Sequence, residues 1–586
     1  MDPGTIIALT QTALTLAFKA VNGYKNALCF ISDSERLVGR LDWHRLRLQG
    51  WAETTGLTKD PPSIPDHLLG AYEALKRKLE EIESLFSDAD EIRARYDLPA
   101  VTDPKASPER VRNVFARIAK SLQESGVKTK DFSDSAVEAE VRDGPGIGKR
   151  ARWGFRDKEQ FESRINKLDK CIQELEQHLA GAQRRKLGED MDRLRTVVVS
   201  NIVDQHSLTL VRFAVAGEPA VSAIVERRAI LDGQPWSMEI HPRPGSRWNL
   251  TDFHLEQTVA GRRRVLARSR SHPGDTFMLE RKDFGRSITA DDKRLLASRV
   301  QRLTVLLGEP KSSNFRVLQC VGLVDDPDHF CWWLVFRFST GVPVGQPLLS
   351  QPVSLLSLLH PGFQPALEHR LTLASRICHT LWGLYASGWL HKGIRSENVL
   401  FEVGSQEELF RNEQLLCSPL VSGFDYSRQE SEARTIDKAK SGGNIATAMY
   451  RHPNYQGEAA EGYKIQYDIY SVGLVLMEIC LWVPLTQFRA LEASAQTSGG
   501  QASRLQRPGS FHRDEAIVLQ KQVVNMADSK LAFLFGTDLY KVIKWCLVFA
   551  DQNATGPSKN PVLEFYDNVV APLARQGTGA QHRAFV

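Results

Sequence analysis

The chain has 586 residues, a formal net charge of +5, a hydrophobic fraction of 42% and a charged fraction of 25%. That length exceeds one ordinary core and calls for two domains or more, and the composition is that of a folded globular protein without fibrous or disordered bias. The charge excess is too small to argue for nucleic acid, the 8 cysteines show neither a C-x-x-C pair nor zinc-ligand spacing, and no run reaches the roughly 18 uncharged apolar residues of a membrane span.

The most apolar stretch is the N-terminal "TIIALTQTALTLAFKAV". Asp2 stands where a secretory signal carries basic residues, and Lys19 interrupts the run, so it reads as neither a signal peptide nor a membrane span. The pattern predicts a first helix near 5–28 and a second near 33–52. Ile6, Ile7, Leu9, Leu14, Leu16, Phe18 and Val21 are too many for a narrow stripe, which predicts a first helix buried on most sides. Farther on, Tyr72, Leu75, Leu79, Ile82 and Phe86 step by three and four, as do Phe161, Ile165, Leu168, Ile172, Leu175 and Leu179. The expected architecture of residues 1–210 is an antiparallel all-α bundle. Its polar stretch at about 100–150 reads as a long loop around a short helix at 108–124. The "GPGIGK" of Gly144–Lys149 lacks the glycine spacing and flanking elements of a phosphate loop.

The opening apolar helix, "SERLVGRLDWHRLRLQGW", "FSDADEIRARYDL" and "ARWGFRDKEQFESRINKLDKCIQELEQHL" resemble the HeLo domain of fungal HET-S-type, prion-inhibition and propagation proteins. The specific parts are Trp153, Asp157, Lys158 and Phe161 at a helix start, and Arg95, Tyr96 and Leu98. The resemblance implies a bundle whose first helix can leave the fold and attack a membrane in programmed cell death or heterokaryon incompatibility. On that reading Ile6, Ile7, Leu9, Leu14 and Phe18 belong to the membrane-active helix. Self-association and an anionic membrane surface are the implied partners, and the expected location is cytoplasmic with movement to the membrane on activation.

A connector is expected at 211–235, followed by a second domain over 236–575. There "RRRVLARSR" and "TFMLERKDF" predict strands, "ADDKRLLASRVQRLTVLLG" an amphipathic helix, and "FRVLQCVGLV" and "FCWWLVFRF" two more strands. A long helix near 366–387 then leads into "HKGIRSENVL", and "VSGFDYSR", "MYRHPN" and "YDIYSVGLVLMEI" follow. This order resembles the bilobal α+β protein-kinase fold. The resemblance gives His391, Phe424 and Asp468 scaffold roles, with Asp468 tying down the loop that begins at His391.

The same alignment places Gly393 where a kinase has its catalytic-loop Asp, and Gly423 where it has the magnesium-binding Asp. Glycine has no side chain to take a proton or hold a metal ion, so the domain reads as a pseudokinase with no catalytic residues and no metal site. Lys282, Asn398 and Asp425 remain candidates for contacting ATP and magnesium, Lys282 being either that or a solvated strand-end lysine. Arg262–Arg264 reads as a solvated basic run. The segment Gly423–Asn454 carries several serines and threonines whose phosphates could meet Lys392 or Arg395. Two functions stand: a non-catalytic, pseudokinase-regulated effector answering to an upstream signalling protein, and a divergent ATP-binding serine/threonine kinase.

Overall fold

In the computed structural model the chain divides into two units, Met1–Ala229 and Ile230–Val586. The structure describes residues 2–28, 35–59, 61–88 and 158–201 of the first unit. In the second it describes 248–255, 262–286, 288–308, 315–349, 351–429, 445–456, 462–488, 511–552 and 560–581, and single positions 91, 211 and 228 complete the set. The loop and helix expected within 100–150, and nearly all of the connector, lie outside these residues.

Helix α1 (Pro3–Leu28) starts where it does because Asp2 Oδ1 accepts from the Thr5 N–H at 3.0 Å and proline occupies the first helical position. It is followed by α2 (Glu35–Thr55), a one-turn helix Asp66–Leu69, α3 (Tyr72–Leu85), α4 (Lys158–Gln177) and α5 (Gly181–Asn201). The apolar stripes of α3 and α4, with Phe86 and Leu179 just beyond them, are buried.

Helix α1 differs from expectation. Among its described side chains Thr10, Ala13, Leu14, Ala17, Val21 and Tyr24 are buried, whereas Leu9 is 37% and Leu16 39% exposed. Ile6, Ile7 and Phe18 lie between these extremes. Among the described residues α1 packs with one face against its neighbours, so an apolar composition did not translate into burial all round.

Polar pairs join α2 to α4. Arg47 forks to Asp169 at 2.5 Å and Glu176 at 3.0 Å, Arg40 meets Asn166 Oδ1 at 2.6 Å, and the Trp51 indole N–H donates to Leu175 O at 3.0 Å. Buried His44 lies 3.7 Å from Asp169, and desolvation pulls its pKa down to about 4.

In the second unit β1 (Phe253–His254), β2 (Arg264–Ser269), β3 (Thr276–Asp283), β4 (Gln319–Asp326) and β5 (Cys331–Arg337) form a sheet of order β1-β2-β3-β5-β4. Every pairing in it is antiparallel, and α6 (Ala290–Gly308) connects β3 to β4. Alternation sends Val265, Ala267, Phe277, Leu279, Trp333 and Val335 into a core closed by Trp248 and Phe253. The same alternation turns Arg264, Glu280 and Lys282 to the opposite face.

The rest of the unit is mainly helical: α7 (Leu367–Ala386), α8 (Ile465–Leu481), α9 (Arg513–Met526), α10 (Thr537–Gln552) and α11 (Ala571–Gln581). Two small sheets edge it, β6-β8-β9 and β10-β7, from strands Val353–Ser354, Trp389–Leu390, Val399–Phe401, Leu420–Val421 and Arg428–Gln429. Helix α8 is buried almost throughout and lies close to α10 at Gly473, where a Cβ would stand 2.9 Å from Cys546 Cβ.

Candidate functional site

The loop opening at His391 is fixed by α8. Asp468 Oδ2 accepts from the His391 N–H at 2.7 Å, and Oδ1 accepts from the Lys392 N–H at 2.9 Å and the Tyr463 hydroxyl at 2.6 Å. Asp468 is fully buried, and that burial pushes its carboxyl up to about 6. These bonds hold Lys392 at φ 62°, a left-handed conformation that a non-glycine residue keeps only when its surroundings impose it. The His391 ring accepts from the Gly393 N–H through Nδ1, which leaves Nε2–H to donate to Ser422 O at 3.0 Å. Burial drives the His391 pKa down to about 3, so the ring is a neutral strut lying 4.6 Å from the Phe424 ring.

Above this loop sits a charged cluster. Glu280 of β3 accepts from Arg264 Nε at 3.0 Å, from the Phe424 N–H at 2.8 Å and from the Gly423 N–H at 3.1 Å. Arg264 of β2 donates in addition to Glu397 O at 3.1 Å and to Asn398 Oδ1, and Asn398 Nδ2 donates to Gly393 O. Arg264, Glu280 and Asn398 are all buried. The basic run Arg262–Arg264 is therefore not solvated throughout: strand alternation turns Arg264 inward, where Glu280 neutralises it.

The glycines belong to this packing. Gly423 has φ +85°, and a Cβ there would lie 2.0 Å from Asn398 Nδ2. A Cβ on Gly393 would lie 2.8 Å from Gly423 O. The site thus brings Gly393, Gly423, Asn398, His391, Phe424 and Asp468 together, and adds two residues that sequence reasoning missed, Arg264 and Glu280. Part of the signal was present: each charge directly adjoins an apolar run of its strand, Val265–Ala267 and Phe277–Leu279.

Lys282 and Asp425 lie to one side. Lys282 is buried rather than a solvated strand end, with Nζ 5.2 Å from the Tyr426 ring centre, because its strand alternation also turns it inward. Asp425 is half-buried, and desolvation raises its carboxyl pKa. Both line a cavity of about 10 Å³ with Leu296, Val300, Leu334 and Phe424, which is space for roughly one water. The arrangement is a poor fit for magnesium, since the Asn398 oxygen faces a guanidinium and position 423 carries no carboxylate. Lys392 and Arg395 are also engaged: Lys392 Nζ lies over the Tyr455 and Tyr463 rings, and Arg395 Nε donates to Glu397 at 2.8 Å.

The first unit offers a surface in place of a cleft. Positions 8, 9, 12, 15, 16 and 19 of α1 are exposed, and Lys19 is the one charge among these six. Thr12 and Thr15 donate to the Ala8 and Gln11 carbonyls at 2.9 and 2.8 Å, and buried Thr10 donates to Ile6 O at 2.8 Å, so their hydroxyls are satisfied within the helix. Pro3–Asn22 is long and apolar enough to cross a membrane by length and composition, and 28% of that window is buried. The reading that stopped the run at Lys19 did not give it that property.

The first unit is thus a helical bundle with an apolar N-terminal helix at its edge. Residues 20–211 match the family model of HeLo, described as prion-inhibition and propagation. The N-terminal unit carries a HeLo domain, a class tied in general to prion-inhibition and incompatibility-type function, and the first part of α1 precedes the matched residues. No curated protein matches the chain.

Proposed function

We propose that the chain is an effector of cell death or incompatibility, with the HeLo bundle as its membrane-active, self-associating part and the second unit as a kinase-like regulator without phosphotransfer. The observation that carries the reading is the outer face of α1, where Leu9 and Leu16 meet solvent beside threonines whose hydroxyls are already bonded. A helix that hides its own polar groups can enter an apolar phase at low cost. The regulatory part is supported by Gly393 and Gly423 in a loop framework braced by Asp468 and His391. Its upstream signal would act from the cytoplasm and send the bundle to the membrane.

Magnitude decides how the bundle would act. Burying the exposed parts of Leu9 and Leu16 yields about 1–2 kcal/mol at the usual area coefficient, too little for stable attachment. Release of α1 would add the stripe Ala13, Leu14, Ala17 and Val21, so attack requires the helix to leave the bundle.

The test is dye release from phosphatidylserine-containing vesicles by the full chain. Tyr24→Ala, which removes the ring packed 4.7 Å from Phe86 and 5.1 Å from Phe161, should increase release. Leu9→Glu with Leu16→Glu, both on the outer face, should abolish it in wild type and in the Tyr24 variant without lowering the melting temperature. Release that ignores the two glutamates, or no release even from Tyr24→Ala, would leave the protein a binding scaffold.

A further inference from the structure

We infer that Arg264 is a built-in cation that latches the sheet of the second unit to its helical part, so that this unit closes without nucleotide or divalent metal. Three oxygens from two elements converge on its guanidinium: Glu280 Oε2 from β3, and the Glu397 carbonyl oxygen and Asn398 Oδ1 from the single turn Ser396–Asn398. A carboxylate, a backbone carbonyl and a side-chain amide oxygen are the donor types that a hard divalent cation selects. Here a planar fork with five N–H donors takes their place and spans more than one of them at once.

The latch extends past the arginine. Glu280 is held by Arg264 and in turn receives the Gly423 and Phe424 amides, so β3 fixes the backbone at 423–424 directly and β2 does so through Glu280. Asn398 connects the same arginine to Gly393, and the Ser422 N–H donates back to Asn398 O at 2.9 Å. Around the cluster Arg395 pairs with Glu397, while Lys282, buried Arg299 and half-buried Asp425 lie on its far side. No titration within it is required for closure. A protein whose cleft is filled by its own side chain stays closed at any nucleotide concentration, and only a force that breaks the arginine contacts opens it. The latch stands whether or not α1 enters a bilayer.

The experiment compares full-length wild type, Arg264→Ala, Arg264→Lys and Glu280→Gln by thermal unfolding and by hydrogen exchange at residues 421–424. Wild type should keep its melting temperature in millimolar magnesium, manganese or magnesium-ATP. Arg264→Ala should lower the transition of the second unit by roughly 5 °C, and Arg264→Lys by less. Exchange at the Gly423 and Phe424 amides should quicken at least tenfold in Glu280→Gln and in whichever Arg264 variants fold, while α8 stays protected. Stabilisation of wild type by magnesium-ATP, an Arg264→Ala protein that melts like wild type, or unchanged exchange at 423–424 would each overturn the latch.

Discussion

Replacing Gly423 by aspartate would give the loop the carboxylate that the kinase resemblance calls for, and the packing predicts that it harms the fold instead. At φ +85° any side chain costs about 1–2 kcal/mol of backbone strain. The new Cβ would also overlap Asn398 Nδ2, only 2.0 Å away, and crowding of this kind costs about 1–3 kcal/mol more. A unit of this length unfolds with an entropy of roughly 0.7 kcal/mol per degree, so its melting temperature should fall by about 3–7 °C. Circular dichroism of the full chain measures this, with Gly423→Ala as the control that adds strain and crowding but no charge. Asn398→Ala removes the obstacle, so the double variant Gly423→Asp/Asn398→Ala should be more stable than the two single effects imply, by at least about 1 kcal/mol. A Gly423→Asp protein as stable as wild type, or strict additivity in the double variant, would refute the idea that Asn398 has closed over the glycine.

Two further predictions concern buried charge. Glu478 of α8 is fully buried, accepts from the Tyr450 hydroxyl at 2.7 Å and the Leu485 N–H at 2.6 Å, and is pushed up to about 7 by desolvation. The folded protein then holds a proton that the unfolded chain releases, so this group's contribution is present in acid and lost as pH rises through about 7. Glu478→Gln should gain on wild type by roughly 3 kcal/mol between pH 5 and pH 8, and a stability difference flat across that window in chemical denaturation would refute the assignment. In the first unit, Arg47→Ala should destabilise the bundle by about 2–3 kcal/mol, because Asp169 and Glu176 lose a shared partner while keeping some water. Arg47→Lys should recover only part of it, since one ammonium cannot reproduce the fork, and full recovery in a melting experiment would show that charge alone matters.

Where burial is regular, sequence periodicity carried the fold. The stripes of α3 and α4 and helix α6 show a repeat near 3.6, and strands β2 to β5 contain short apolar runs that can be read directly. Strands of two or three residues, such as Phe253–His254 and Trp389–Leu390, are too short to show any period. The glycines of the site were legible as losses of chemistry, but not as packing requirements, because the contact that forbids a Cβ at Gly423 comes from Asn398, 25 positions earlier in the chain. Arg264 was misread for a related reason: its neighbours Arg262 and Arg263 supply the appearance of a solvated run, and only pairing with β3 shows which of the three turns inward.

The two ways in which the first unit is held together decide which part of it can move. Helix α1 rests on apolar side chains, with Gln11 Nε2 reaching Leu57 O at a stretched 3.4 Å. Apolar contact is non-directional, and acyl chains supply it as well as a protein core does. Between α2 and α4 the contacts are Arg47 with Asp169 and Glu176, Arg40 with Asn166 and Trp51 with Leu175, none of which hydrocarbon can replace. On the proposed membrane role, a bilayer would compete for α1 and could not compete for the α2–α4 pair. Within α1 the competition is uneven, since Tyr24 near its C-terminal end packs against Phe86 and Phe161 and lies under Arg164, while the outer face at Leu9 and Leu16 is already in water. Detachment should start at the N-terminal turns and stop at Tyr24, which makes that ring the hinge and the paired helices behind it the anchor.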